Sequence, residues 1–373
     1  MRPRLPPAIP LALLLGLILL LTGACLGRGP TLRPGWAGVA FSQDRVFVGT
    51  QEGRVVALDK ATGSYQASYP PEGTPPLPAV YGGPTVHGDR VYVGGYNGKV
   101  YALRADDLSL IWQFPPDART LGPVVGGLTV ADGLLLFGAS DGYLRALDVE
   151  SGEERWRYPT QDKVWSTPTV QGDTVYFGAM DHGVYAVSIT TGEPRWEEPF
   201  RAGGAVAGAP VVAQGKVLVG SFDRNFYALD AVTGKELWRF RGDNWFWAGA
   251  AADATRVYAI SMSGTLYALD LAGNLLRQEK LGLGGPALAP PLLLDSLLVV
   301  TSDEGWVYVM DPPTLQQKPP GYNLGARVRG TIAVDQGTIY VNTSAKDQGV
   351  WALRLTGKQE KLWGPVPPRP KER

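Results

Sequence analysis

The chain of 373 residues holds a single cysteine and two histidines, and each scarcity removes a class of chemistry. One thiol cannot form an internal disulfide, so a disulfide scaffold is excluded, as are cysteine-based metal sites and thiol catalysis in the mature domain. His87 precedes Gly88 and His182 replaces the Gly of a hairpin turn. Isolated in this way they supply neither an acid–base pair nor a zinc set, and both read as solvated turn residues. Excess charge of one sign is lacking too. Thirty-five Lys and Arg balance 35 Asp and Glu, which gives no reason to expect nucleic acid as a partner. The sequence contains no nucleophile motif or phosphate loop. Asn342-Thr343-Ser344 fits a glycosylation acceptor, read here as a chance match.

Long apolar runs are also scarce. The exception lies at the N-terminus, where Met-Arg-Pro-Arg is followed by an apolar run from Leu11 to Leu21 and then Thr22-Gly23-Ala24-Cys25. A basic start, a core short for a bilayer span and small residues before a cleavage point describe a secretory signal over residues 1–24. The small residues ending at Cys25 resemble the bacterial lipobox, in which the thiol is lipidated and becomes the new N-terminus. Thr22 stands where Leu is preferred. An ordinary signal cleaved nearby, or a retained anchor, is the alternative. Residues 25–35 read as a tether, and residues 365–373, rich in Pro, as a solvated disordered tail.

What is abundant is glycine, with 48 residues, alongside 31 Pro, 11 Trp and 16 Tyr, a composition suited to short strands and tight turns. It is organised by a repeat. Phe47-Val-Gly-Thr-Gln-Glu-Gly-Arg-Val-Val-Ala-Leu-Asp59 recurs as Tyr92-Val-Gly-Gly-Tyr-Asn-Gly-Lys-Val-Tyr-Ala-Leu103 and as Phe137-Gly-Ala-Ser-Asp-Gly-Tyr-Leu-Arg-Ala-Leu-Asp148. Further copies cover 177–187 and 219–230, and weaker ones surround Tyr267-Ala-Leu-Asp270, Tyr308-Val-Met-Asp311 and Trp351-Ala-Leu353. The small residue of the pattern falls at Ala57, Ala102, Ala146, Ala186, Ala228, Ala268, Val309 and Ala352, in steps of 40 to 45 residues. Each unit holds about four strands joined by turns such as Asn97-Gly98 and Asp141-Gly142. A lone four-stranded sheet cannot cover both faces, and blades packed around an axis can. The expected fold is all-β, an eight-bladed propeller over residues 36–364.

Asp148-x3-Gly152-x3-Trp156, Gly192-x3-Trp196 and Asp230-x3-Gly234-x3-Trp238 resemble the tryptophan-docking motif of pyrroloquinoline-quinone-type propeller repeats, with Trp112 and Trp363 in looser copies. The resemblance spans nearly the whole mature chain and implies that each indole packs on a neighbouring blade. Ala67 and Arg277 stand where Trp would dock, and blade 7 has no Gly–Trp pair, so blades 6 and 7 are expected to be the loosest.

The repeat is shared by two opposite classes of protein. Quinoprotein dehydrogenases bind the quinone and Ca²⁺ and oxidise alcohols or sugars. Non-catalytic propellers include the lipoprotein subunit of the outer-membrane β-barrel assembly machinery. The vicinal cysteine pair typical of large alcohol-oxidising members is missing. Asp59, Asp148, Asp230, Asp270 and Asp311 recur where they order turns rather than cluster for Ca²⁺. The expectation is therefore a protein without catalytic residues, metal or cofactor. It is read as a monomeric ring within a complex, lipid-anchored outside the cytoplasm and binding envelope proteins or peptide segments. A quinone-dependent dehydrogenase and a polysaccharide- or small-molecule-binding module are the alternatives.

One column carries the candidate site. Three residues ahead of each first strand stand Trp36, Tyr81, Val125, Trp165, Ala207, Trp247, Leu288 and Arg329. Equivalent positions before the innermost strand ring one mouth of the channel, where Trp36, Tyr81, Trp165, Trp247 and Arg329 would offer stacking and cation–π contacts. The alternative is that they plug the channel or pack under loops. Arg119, Lys163, Arg201 and Arg327, in the same loops, are expected to make the mouth basic, partly offset by Asp117, Asp162 and Asp243.

Overall fold

The computed structural model describes residues 37–50, 53–294, 296–319, 321–343, 349–355 and 360–366. Cys25, Trp36 and residues 1–35 lie outside these, as do residues 367–373. The described residues form eight four-stranded antiparallel sheets, each with its strands paired in chain order. The blades cover residues 39–69, 85–114, 129–159, 169–201, 211–241, 251–280, 292–323 and 333–366. The last strand, Glu360–Val366, runs two residues past the boundary expected at 364, and Val366 pairs with Val350. Gly364, at φ +117°, lets the chain kink and continue pairing.

Second and third strands of a blade are buried on both faces. In blade 1, Arg45–Gly49 and Val55–Asp59 are buried at all but one end residue. Lying between two neighbouring sheets, they read as unbroken apolar runs rather than as alternating strands with one wet face. The hairpin turn between them needs a left-handed residue. Gly98 and Gly142 supply it in blades 2 and 3, and His182 adopts φ +71° in blade 4. His182 thus serves as a turn residue, and histidine is among the side chains that tolerate this region best.

In six blades the repeated alanine pairs with the docking position on the outer strand: Ala57 with Ala67, Ala102 with Trp112, Ala146 with Trp156, Ala228 with Trp238, Ala268 with Arg277 and Ala352 with Trp363. A bulge follows the alanine each time, adding the twist that turns the outer strand toward its neighbour. The indole Nε1 then donates to a carbonyl of the next blade. Trp112 reaches Val149 at 3.2 Å, Trp156 reaches Ile189 at 2.7 Å, Trp196 reaches Ala231 at 3.1 Å and Trp238 reaches Leu271 at 3.0 Å. Their rings cover Gly152, Gly192, Gly234 and Gly273, where an added Cβ would fall 2.5–2.7 Å from an indole carbon. The Gly and Trp of one motif therefore serve opposite neighbours: Gly152 receives Trp112, while Trp156 goes on to Gly192.

After blades 1 and 6, which lack the docking tryptophan, the receiving glycine of the next blade is replaced by leucine. Leu108 and Leu315 make the same turn bond as Gly152, their N–H groups donating to Arg104 O at 3.0 Å and Asp311 O at 2.8 Å, against Asp148 O at 2.9 Å for Gly152. Both leucines are left-handed, at φ +57° and +54°, and both are buried. They follow the blades that carry Ala67 and Arg277. An apolar side chain on the receiving turn takes up space that an indole from the preceding blade fills elsewhere.

Among the described residues the ring closes between blades 8 and 1 with no exchanged strand. Trp363 Nε1 donates to Lys60 O at 3.0 Å, and Asn342 Nδ2 donates to Ala37 O at 3.1 Å and Gly49 O at 3.0 Å. Lys60 and Asp335 pair at 2.6 Å across the same seam.

Candidate functional site at the channel mouth

First strands of neighbouring blades meet at the axis, and the segments leading into them approach so closely that main chain packs on main chain. A Cβ on Gly82 would lie 2.3 Å from Gly126 O, and one on Gly126 would lie 2.5 Å from Trp165 O. Thr hydroxyls stitch the same tier, with Thr85 Oγ1 donating to Leu128 O at 2.8 Å, Thr129 Oγ1 to Pro168 O at 2.6 Å and Thr169 Oγ1 to Pro210 O at 2.6 Å. Above this floor opens a cavity of about 300 Å³. Its lining includes Tyr81, Val125, Trp165, Ala207, Trp247, Leu288 and Arg329, so the structure brings these seven column residues together. The eighth, Trp36, lies outside the described residues.

Among the seven described members the ring alternates. Large side chains stand on the even blades, as Tyr81, Trp165, Trp247 and Arg329, with the smaller Val125, Ala207 and Leu288 between them. The intervening residues Val80, Val124, Val164, Val206, Phe246 and Val328 are wholly buried, which fixes the direction in which the column points.

A second tier holds the column in place, and sequence reasoning missed it. In each of five blades the hairpin turn between second and third strands places one residue whose N–H bonds the incoming segment: Tyr96 to Ala79 O, Ser140 to Pro123 O, Met180 to Lys163 O, Phe222 to Ala205 O and Met262 to Trp245 O. Ser140 Oγ accepts the Trp165 indole N–H at 2.9 Å. Phe222 stacks on both Trp245 and Trp247, with centroids 5.3 Å apart in each pair. Asp303, at the same turn of blade 7, accepts from Arg329 Nε and from its Nη2 at 3.2 Å. Tyr81 and Tyr96 lie 5.1 Å apart. The signal was weak because this position changes chemical type from blade to blade, through Tyr96, Ser140, Met180, Phe222 and Asp303, and repeats only as Met262.

The rim is not the basic surface expected. Arg119 pairs with Asp117 at 2.8 Å, Lys163 with Asp162 at 3.2 Å, Arg201 with Asp181 at 3.4 Å and Arg327 with Asp303 at 3.9 Å. Asp243, facing Lys280 at 3.3 Å, also accepts from the hydroxyls of Ser261, Ser263 and Thr265 at 2.6–2.7 Å. Burial opposes ionisation there, but these hydroxyl bonds prevail and hold its carboxyl well below the usual range.

The recurring aspartates order turns. Asp148 Oδ1 accepts the N–H groups of Glu150 at 3.0 Å and Ser151 at 2.9 Å, and Asp230 Oδ1 those of Val232 at 3.1 Å and Thr233 at 2.7 Å. Among the described residues no three of His, Cys, Asp and Glu converge on a point that could hold a metal ion. The described lining of the mouth has one charged member, Arg329, whose carboxylate partner is already engaged. This donor set does not fit a Ca²⁺-bound quinone, which needs about six to eight oxygens.

Eight four-stranded blades of this repeat define a PQQ-like propeller. Within that class the chain belongs to the family described as outer membrane protein assembly factor BamB, whose model matches residues 68–239 and 223–360. The crystal structure of BamB from Moraxella catarrhalis aligns with a TM-score of 0.68 at 19% identity, covering 82% of this chain and 91% of that one. The computationally designed Ika8 protein aligns with a TM-score of 0.71 at 17% identity, covering 86% and 96%. These two likenesses are of fold. A 1-butanol dehydrogenase (quinone) of Thauera butanivorans is 42% identical over 59 residues, which is 14% of this chain and 10% of that enzyme. That stretch is shorter than two repeats.

Proposed function

We propose that this chain is a non-catalytic scaffold of the cell envelope, held to a membrane through a lipid on Cys25, which binds segments of other proteins. The observation that carries this reading is the family match, which runs from the outer strand of blade 1 to the outer strand of blade 8. The mouth supports it, since aromatic side chains held by a second tier are pre-organised for contact and lose little freedom on binding. Exposed outer strands add a second kind of surface, open to strand addition. The test is labelling with radioactive palmitate together with capture from native envelopes. The parent protein is expected to take up the label, lose it on Cys25→Ser, and recover integral β-barrel proteins or their assembly machinery. A protein that stays unlabelled and captures none of these sinks the proposal.

The short match to the quinone-dependent butanol dehydrogenase favours a second reading, a minimal quinoprotein. Its donor set argues against it. Incubation with pyrroloquinoline quinone and Ca²⁺, followed by absorbance and dye-linked alcohol oxidation, separates the two: a bound chromophore with turnover replaces the scaffold reading.

A further inference from the structure

The outer strand of every blade ends its sheet, and an uncovered outer strand is a template for pairing with another chain. Most blades guard it. Proline closes or interrupts the edge in blades 1, 2, 3 and 8, as Pro70, Pro115, Pro159 and Pro365. In blades 4 and 7 the outer strand is cut to two residues, Phe200–Arg201 and Tyr322–Asn323. Blade 5 has a longer strand, Glu236–Arg241, but Trp238 is docked on blade 6 and Arg239 pairs with Glu236 at 2.7 Å.

Blade 6 has no such guard. Leu275–Lys280 is exposed at all six positions, and no proline lies in it or directly after it. Leu275 and Leu276 are each 45% exposed. Arg277 stands in place of a docked indole. Among the described residues Lys280 pairs with Asp243 at 3.3 Å, whereas Arg277 and Glu279 enter no ion pair.

Hydrogen-bond phase decides which residues face outward. Thr265 lies opposite Lys280, and Leu281 N donates to Gly264 O at 2.9 Å, so Thr265 and Lys280 are a non-hydrogen-bonded pair. Residues alternate from there. Lys280 and Gln278 turn their main-chain N–H and C=O groups away from the sheet, while Glu279 and Arg277 direct theirs to Leu266 and Ala268. A second copy of the strand laid antiparallel, with Gln278 across from Gln278, meets the outward groups with its own. In that register Arg277 of each copy lies opposite Glu279 of the other, on one face and in the close, non-hydrogen-bonded position. The charges match twice by symmetry. Moving the crossing to Arg277 or Glu279 opposes like charges. The strand of blade 5 does the same at its own polar end, where a crossing at Arg239 or Phe240 sets arginine against arginine.

The geometry points to a two-fold dimer of this protein through the outer edge of blade 6, with Arg277 and Glu279 setting its register. None of these residues lines the mouth cavity, so the interface stands apart from the site of the scaffold reading.

Sedimentation velocity of the intact protein in detergent, over a series of concentrations, is expected to show a monomer–dimer equilibrium. Arg277→Glu and Glu279→Arg are each expected to weaken it about tenfold by opposing like charges, and the two together to restore it. All three variants are expected to melt with the parent, since both side chains are exposed. Gln278→Cys is expected to crosslink to its own copy on mild oxidation, and Leu275→Cys, remote from its own copy in this register, is not. The parent, with Cys25 alone, is the control. The inference is overturned by a monomer at every concentration, by single variants that associate as the parent does, or by a double variant no better than either. Equal crosslinking of the Gln278→Cys and Leu275→Cys proteins, or crosslinking of Gln278→Cys to other proteins and not to itself, overturns it as well.

Discussion

Trp156 of blade 3 donates its indole N–H to Ile189 O of blade 4 at 2.7 Å, and its ring lies against Gly192 of that same blade. One side chain thus ties two sheets by a directed bond and by apolar contact. Trp156→Ala leaves a cavity and an unpaired carbonyl, and is expected to cost about 3–5 kcal/mol. Gly192→Ala attacks the same contact from the other side, because its Cβ would lie 2.7 Å from the indole and the backbone sits at φ +74°. Urea unfolding of both variants checks this. A midpoint shared with the parent would remove the indole from the account of inter-blade stability.

The seam between blades 1 and 2 uses another solution, with Leu108 buried in a cluster against which Ala67 packs. Leu108→Gly alone is expected to cost about 2–4 kcal/mol as a large-to-small core change. Ala67→Trp alone crowds Leu108 and costs about 1–3 kcal/mol. Together they rebuild the arrangement of Trp156 and Gly192, so the double variant is expected to be more stable than the summed single losses. A double-mutant cycle on unfolding free energies reads the coupling directly. Strict additivity would mean that the two positions do not share one space.

These two seams show what was legible in the sequence. Blade number, the alanine column and the tryptophan positions are periodic, and periodicity reports equivalent environments. The mouth column was legible for the same reason. What escaped were the partners of periodic residues. The spacing Gly152-x3-Trp156 looks like a local unit, yet its two ends face different blades. The second tier of Ser140, Phe222 and Asp303 carries no common residue type, because each was matched to the column residue it supports. The rim charges likewise cancel through pairs such as Arg327 with Asp303, between loops that composition alone does not connect.

Asp148 makes acid sensitivity predictable. Its carboxyl is lowered to about 2, chiefly by the bond from Arg155 and by the Ser151 N–H. A carboxylate with a folded pKa below its unfolded one binds fewer protons when folded, so its contribution is complete above about pH 4. It fades as pH falls toward 2. Asp148→Asn is expected to lower the melting temperature near neutrality and to flatten its decline between about pH 4 and 2. A variant whose acid profile parallels that of the parent contradicts the assignment.

Arg329 is held at the mouth by Asp303, a carboxylate only 7% exposed. Removing one partner of a pair this well buried is costly, and Asp303→Ala is expected to cost about 3 kcal/mol. Asp303→Ala with Arg329→Leu removes both charges and is expected to recover most of that loss. Thermal melts of the parent, the single variants and the pair test this. No recovery in the double variant would show that Asp303 acts through its other neighbours, Arg327 among them.

Ring closure supplies the most local prediction. Blades 8 and 1 are joined by Trp363, Asn342 and the Lys60–Asp335 pair, with no strand shared among the described residues. A closed ring of stacked sheets gains stability from every seam, yet opening one seam leaves the other blades packed on their neighbours. Trp363→Ala is therefore expected to raise amide exchange first in Val39–Phe41 and Thr338–Thr343, the strands flanking the seam. Trp196→Ala is expected to raise it first in blades 4 and 5. Mass-spectrometric hydrogen exchange of the two variants compares these regions directly. If both variants lose protection uniformly around the ring, the blades unfold as one cooperative unit and the seams are not separable.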